Sequence, residues 1–286
     1  MSQTELPFGL GAEGVAIAGT AVMGIVNVTP DSFFDGGYLF RDGRACLSAV
    51  LRKAEAMVAQ GADILDVGGE STRPGAQPVG LQQEIDRVVP IVEAIASQLG
   101  SVVSVDTSKG AVMVEAAKAG ADMINDVRAL RLPGALHAAQ TTGLPVCLMH
   151  MQGDPVGMQT DPLYDNVRED VRSFLLARAD ECAEAGIERS RIMIDPGFGF
   201  GKTLSHNLQL MRGLTELANT GYPLVVGVSR KSMIGAVTGK PLAERLPGSL
   251  ALAAMAVMQG AAVLRVHDVA ETRDVVKMID AVLKEE

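Results

Sequence analysis

The residues of this chain best suited to chemistry stand at the ends of short apolar runs. Asn27 ends the first run, Asp106 the third, Asn125 the fourth and Asp195 the sixth. Ser229-Arg230-Lys231-Ser232 follows the seventh, and Arg265 with His267 closes the eighth. In a barrel of alternating strands and helices, catalytic groups gather at the C-terminal strand ends, and phosphate sites often use the loops after strands seven and eight. Lys231, Arg265 and His267 occupy those two positions. A small anionic, phosphate-bearing substrate is the expectation.

Each of these residues also has a plainer reading when taken singly. A carboxylate or amide that ends a strand is often a helix N-cap, which covers Asp106, Asn125 and Asp195. Asp63, Asp66 and Asp126 read as structural. Lys231 and Lys202 each read alone as a solvated surface lysine. Arg265 is harder to set aside, because an arginine at the end of an apolar strand needs anionic or polar partners. His267 divides between a helix-start residue and a ligand contact, while His137, His150 and His206 read as structural.

Three Gly-rich loops add to the pattern. Residues 27–37 and 68–78 both follow strands, and loops of that length in a compact domain are usually lids or binding segments. Five of the ten aromatic residues lie in such loops (Phe33, Phe34, Tyr38, Phe198 and Phe200), where they could stack on a flat aromatic ligand or simply anchor the loops. The third loop, residues 195–202, contains neither GxGxxG nor a Walker A sequence, so its glycines do not indicate a nucleotide site.

The elements that must position these residues are eight β-rich runs: 22–27, 64–68, 102–106, 123–125, 146–149, 192–195, 224–227 and 262–266. Helical patterns lie near 43–59, 81–98, 110–118, 134–141, 163–185, 205–218, 243–258 and 268–283. Near-continuous apolar strands separated by helices imply a parallel sheet covered on both faces. Eight units favour an α/β fold closed into a single (β/α)8 TIM barrel. Pro90 predicts a kink or early break in the second helix. Asp268 and Glu271 have capping-box spacing at the start of the last helix, whose apolar face is expected to be Val275, Val276, Ile279, Val282 and Leu283. No composition break divides the 286 residues, so one domain (1–286) is expected. Residues 1–20 are read as an N-terminal hairpin closing the barrel bottom.

Charge and cysteine usage narrow the function class. A net charge of −9 disfavours nucleic acid as a partner. Cys46, Cys147 and Cys182 are widely spaced with no CxxC, which reads as buried thiols in a reducing, cytoplasmic compartment. The N-terminus lacks the pattern of a signal peptide, and no apolar run reaches the ~18 residues of a membrane span.

Seven segments together resemble the bacterial dihydropteroate synthases of the pterin-binding barrel family: GIVNVTPDSFFDGG (24–37), GGESTRPG (68–75), SVDT (104–107), INDV (124–127), DPGFGFGK (195–202), SRKS (229–232) and RVHDV (265–269). They span nearly the whole chain in the family's order. One departure is Phe34, where the family often carries a small polar residue.

The resemblance implies a transferase of folate biosynthesis. It would condense 6-hydroxymethyl-7,8-dihydropterin pyrophosphate with p-aminobenzoate to give 7,8-dihydropteroate and pyrophosphate. It further implies roles for matched residues. Asp106, Asn125, Asp195, Met149, Lys231 and Phe200 would bind the pterin, whose edge offers clustered N–H donors. Asn27, Thr72, Arg73, Arg265 and His267 would hold the pyrophosphate, with Asn27 near a Mg²⁺ ion. Phe33, Thr72, Arg73, Pro74, Phe200 and Ser232 would form the aminobenzoate side. Lys231, Arg265, His267 and Asn27 would carry catalysis, by stabilising charge rather than by acid–base transfer. Two small-molecule substrates, a homodimer and sulfonamide drugs as inhibitors are also implied. Two rivals remain: a methyltetrahydrofolate methyltransferase, which would not need the Arg265, His267 and SRKS anion site, and an inactive pterin-binding paralogue.

Overall fold

The structure is a computed structural model that describes Leu6 and residues 19–29, 40–41, 44–72, 75–154 and 157–284. Phe33, Phe34, Tyr38, Arg73, Pro74 and nearly all of the expected N-terminal hairpin lie outside the described residues.

The strands are β1 (Ala21–Asn27), β2 (Phe40–Arg41), β3 (Arg44–Ala45), β4 (Ile64–Gly68), β5 (Val102–Asp106), β6 (Met123–Asp126), β7 (Val146–Met149), β8 (Ile192–Asp195), β9 (Val225–Val226) and β10 (Val263–Val266). The short strands β2 and β3 form an antiparallel pair. The other eight form one parallel sheet in the order β8-β7-β6-β5-β4-β1-β10-β9. A bridge between Ile194 and Leu224 joins its two ends into a nearly closed barrel. The helices are α1 (Leu47–Ala59), α2 (Leu81–Leu99), α3 (Gly110–Lys118), α4 (Ala135–Thr142), α5 (Val167–Glu184), α6 (Leu204–Arg212), α7 (Leu214–Ala218), α8 (Ser232–Thr238), α9 (Leu246–Met258) and α10 (Val269–Lys284).

Although the strands read as unbroken apolar runs, successive side chains still point to opposite faces. Val22, Val26, Leu65, Val67, Val103, Val105, Leu148 and Ile194 face outward into one cluster with the helices. Their alternates Met23, Ile64, Val102, Met123, Cys147, Met193, Val225 and Val263 form a separate cluster inside the barrel, against which Leu6 packs. Each apolar side chain fully buried this way contributes about 1.5–3 kcal/mol. Two residues further along the inward series, the side chains turn polar: Asp66 on β4, Ser104 on β5, Asn125 on β6, Asp195 on β8 and Arg265 on β10. The barrel is therefore an apolar plug at one end and a polar bowl at the other.

Several expectations are corrected. Helix α2 runs through Pro90 without a break. The proline removes one N–H, and Val88, Ile91, Val92 and Ile95 on either side of it are fully packed in the helix–sheet core. Strand β9 keeps only Val225–Val226 of the expected 224–227. The single pattern at 205–218 divides at Gly213 into α6 and α7, and α8 is an additional helix. On α10, Val276 is buried but Val282 and Leu283 are exposed. The Asp268 carboxylate turns to the Arg230 guanidinium (2.7 and 2.5 Å) rather than to its own helix. Cys147 and Cys182 are buried free thiols, whereas Cys46 is only half-buried.

Candidate active site

The inward register brings the polar strand ends to one cavity of about 640 Å3 at the C-terminal mouth of the barrel. Asp106, Asn125, Asp195 and Met149 line it from β5, β6, β8 and β7. Asn27, Arg265 and His267 line it from β1 and the end of β10. Lys231, Phe200 and Thr72 line it from the loops after β9, β8 and β4, and Ser232 from the first turn of α8. Every candidate site residue among those described thus meets in one place. Phe33, Arg73 and Pro74 lie outside the described residues.

None of the three polar strand ends is a helix N-cap. The N-cap positions of α3, α4 and α6 are Lys109, Gly134 and Thr203. Asp106 instead takes a hydrogen bond from Arg265 Nη2 (2.8 Å), and Asp195 takes one from the Gly197 backbone N–H (2.7 Å). Gly197 has φ of +66°, and a Cβ there would stand 1.9 Å from the His150 carbonyl oxygen. Only glycine can make this turn.

Asp66 was assigned a structural role from sequence, yet it joins the site's wiring. It is fully buried, and its Oδ2 accepts from Arg265 Nε (2.6 Å) and from the Asn125 amide nitrogen (3.2 Å). The second bond turns the donor end of Asn125 toward the barrel interior and leaves its oxygen for the cavity. The visible signal was period two from Ile64, which puts Asp66 on the inward face, where an aspartate must have a partner.

The charges are strongly perturbed. Burial pushes the Asp106 carboxyl up to about 8, against the pull of Arg265, and Asp66, Asp126 and Glu84 add to the rise. Burial also raises Asp195, opposed by Lys231 and the Gly197 N–H. Burial lowers Lys231 to about 8, against the attraction of Asp195. Burial works against the Arg265 charge too, but Asp66 and Asp106 outweigh it and hold the guanidinium above its ordinary value. Burial, with Arg265 nearby, lowers His267 to about 3, so the imidazole is neutral at physiological pH. Ser229 Oγ lies 3.0 Å from His267 Nδ1 and accepts the His267 backbone N–H (3.2 Å). With the serine proton assigned to Nδ1, the ring carries its own proton on Nε2.

Lys231 is no solvated lysine. Its ammonium donates to the Phe198 carbonyl and sits 4.7 Å from the centre of the Phe200 ring, which is cation–π range. Lys202 is buried as well. It donates to the carbonyls of Gly197 (2.9 Å) and Phe200 (3.0 Å) and lies 2.9 Å from His150 Nδ1. The Gly-rich loop is wrapped around this one ammonium, which fixes Phe198 and Phe200 against Lys231. Phe198 and Ser229, both singled out in the sequence, line the cavity too. Met158 and Gln159 also line it but carried no signal in the sequence, since their place follows from how a loop folds back.

Asn27 makes no side-chain hydrogen bond among the described residues, and its amide faces the cavity. Among the described residues no cluster of three or more His, Cys, Asp or Glu is spaced to hold a metal. The donor set suits a hard cation that brings most of its oxygens as water and phosphate, not an all-protein cage.

Comparison with known proteins agrees with this geometry. The family described as pterin binding enzymes matches residues 23–267. The dihydropteroate synthase of Haemophilus influenzae is 52% identical over 260 residues, covering 91% of this chain and 93% of the relative. The Yersinia pestis dihydropteroate synthase, solved with a sulfonamide drug complex, superposes with a TM-score of 0.91 at 50% identity, covering 95% of this chain and 98% of that one. The Xanthomonas albilineans dihydropteroate synthase, solved with 4-aminobenzoic acid, has a TM-score of 0.90 at 43% identity, with both chains fully covered at 100%.

Proposed function

Since the chain belongs to the pterin-binding enzyme family, among the dihydropteroate synthases, we propose that its barrel mouth brings a dihydropterin pyrophosphate and p-aminobenzoate together on the residues named above. The enzyme is a transferase of folate synthesis, condensing 6-hydroxymethyl-7,8-dihydropterin pyrophosphate with p-aminobenzoate to 7,8-dihydropteroate and pyrophosphate. The observation that carries the site reading is the layering: hydrogen-bond acceptors (Asp106, Asn125, Asp195) and cations (Lys231, Arg265) share one cavity.

Asp106, Asn125 and Asp195 accept the pterin N–H groups, and Met149 packs on the ring. Their burial makes the reading selective, because a ligand without matching donors would leave them unpaired. Arg265, His267 through its Nε2–H, and Thr72 bind the pyrophosphate, and Arg73 is assigned to the same group. In the reaction the bond between the pterin methylene carbon and the pyrophosphate oxygen breaks, and its electron pair leaves with the oxygen. The amine lone pair of p-aminobenzoate forms the new C–N bond, and the amine gives up one proton. Arg265 and His267 stabilise the departing charge, a contribution typical of preorganised donors. A Mg²⁺ ion would be held by Asn27 and would neutralise pyrophosphate charge when bound. Phe200, Ser232, Thr72, Phe33 and Pro74 form the aminobenzoate side, where a sulfonamide drug would also sit. Water exclusion there protects the electrophilic pterin carbon.

The chain is proposed to act as one domain, and the packing of Leu6 on the inner cluster supports a role for the N-terminal segment at the barrel bottom. A homodimer is proposed, supported by exposed Met255 and Met258 on α9 and Met278 and Val282 on α10. No helix among the described residues is long and apolar enough to cross a membrane, and the buried free thiols of Cys147 and Cys182 support a cytoplasmic setting.

The test is pyrophosphate release from the pterin pyrophosphate with Mg²⁺, with and without p-aminobenzoate. Release that requires p-aminobenzoate and yields dihydropteroate is expected. Pterin binding without that turnover would favour the inactive paralogue.

A further inference from the structure

Arg230 lines the cavity edge between Ser229 and Lys231, and its backbone is left-handed at φ +56°. A long side chain rarely adopts that conformation, and here bonds to the backbone N–H, the carbonyl and the guanidinium hold it. The Arg230 N–H donates to Ser249 Oγ (2.8 Å), and its carbonyl accepts from Arg245 Nη1 (3.1 Å). Its guanidinium makes a two-pronged pair with Asp268, from Nε at 2.7 Å and Nη2 at 2.5 Å. Both partners are mostly buried, at 16% and 14% side-chain exposure, and such fork-to-fork pairs fix geometry as well as charge.

Asp268 immediately follows His267. The pair therefore couples the loop after β9 to the loop after β10 across 38 residues of sequence. The coupling has a visible result: Ser229, one residue before Arg230, reaches His267 Nδ1 at 3.0 Å. The left-handed turn at Arg230 sends Ser229 toward His267 and Lys231 toward Phe198 and Phe200.

We propose that Arg230 and Asp268 are positioning residues for the anion site, a clamp that sets the Ser229–His267 contact and so aims the imidazole Nε2–H at the substrate pyrophosphate. This rests on the assignment of His267 to the pyrophosphate made above. The pair with Asp268 bears on the anion end of the substrate through His267, whereas the pterin end is held by Asp106, Asn125 and Asp195 from other strands and by Lys231, which its own bond to the Phe198 carbonyl and its place on the Phe200 ring keep in position.

The test is isothermal titration of the intact protein with two probes, hydroxymethyl-dihydropterin pyrophosphate and hydroxymethyl-dihydropterin without pyrophosphate. Asp268→Asn is expected to weaken the first about tenfold, within the range a displaced positioning group can cost. The second should stay within about twofold, and Asp268→Glu should restore part of the loss. Arg230→Gln removes the same pair from the other side and keeps the test open if Asp268→Asn fails to fold. Equal weakening of both probes would mean a merely structural pair and would overturn the clamp. His267→Ala separates the two layers of the argument. Selective loss in His267→Ala with none in Asp268→Asn or Arg230→Gln overturns the clamp alone. No selective loss in His267→Ala overturns the anion assignment and the clamp with it.

Discussion

Arg265 Nη2 lies 2.8 Å from Asp106 Oδ2 while its Nε lies 2.6 Å from Asp66. One guanidinium thus spans a buried carboxylate beneath the cavity and one that lines it. The carboxylate and the cation that line the cavity hold each other. On the function proposed above, a substrate with N–H donors at one end and pyrophosphate at the other would compete for both partners of this pairing.

The first prediction follows from the Asp106 carboxyl being held near 8 by burial. A ligand that donates N–H bonds to Asp106 favours its charged form and lowers that value. Below pH 8 the free carboxyl binds more proton than the complexed one, so pterin binding should release protons. Titration calorimetry at pH 7 in buffers of different ionisation enthalpy measures this. Proton uptake, or release unchanged in Asp106→Asn, would contradict it.

A second prediction concerns catalysis and pH together. Lys231→Ala and Arg265→Ala should each reduce kcat/KM by at least about 10²-fold, the scale of a lost transition-state donor. In the free protein Asp106 gains its acceptor charge as pH rises through about 8, and Lys231 loses its proton over the same range. The kcat/KM profile, which reports free-enzyme groups, should therefore be a narrow bell centred near 8. Lys231→Arg should remove the alkaline limb, since arginine keeps its charge. A plateau to pH 10 in the wild type would contradict this assignment.

Much of this site was legible because a strand's inward face changes from apolar to polar at its C-terminal end. Asn27, Asp106, Asn125, Asp195 and Arg265 each end such a run, so chain order alone marked them. Asp66 was harder to assign, since it lies within β4 between Leu65 and Val67, and its role depends on a partner 199 residues away. Lys202 looked like a solvated lysine after a run of glycines; only the folded loop shows it enclosed by its own carbonyls. Helix α8 was missed because it has seven residues with Gly235 inside, too short to display a period. The early break expected at Pro90 does not occur, because the packing of its neighbours outweighs one lost hydrogen bond.

The third prediction tests the loop core. Lys202→Met is nearly isosteric but leaves the Gly197 and Phe200 carbonyls without their donor. Leaving buried acceptors unpaired costs about 1–3 kcal/mol each, so the thermal midpoint should fall. Pterin affinity should fall with it, because Phe200 loses its fixed place. A variant with wild-type stability and wild-type binding would refute this role.

Among the acceptors proposed to read the pterin, Asp195 is the cleanest to remove, since it caps no helix and makes no ion pair with Arg265 among the described residues. The measurement is titration of the dihydropterin pyrophosphate into wild type and Asp195→Ala, with circular dichroism confirming the fold. Binding weakened by about 10²-fold or more is expected in the variant, as for a buried polar reader left without its match. Unimpaired binding by a folded Asp195→Ala would contradict it.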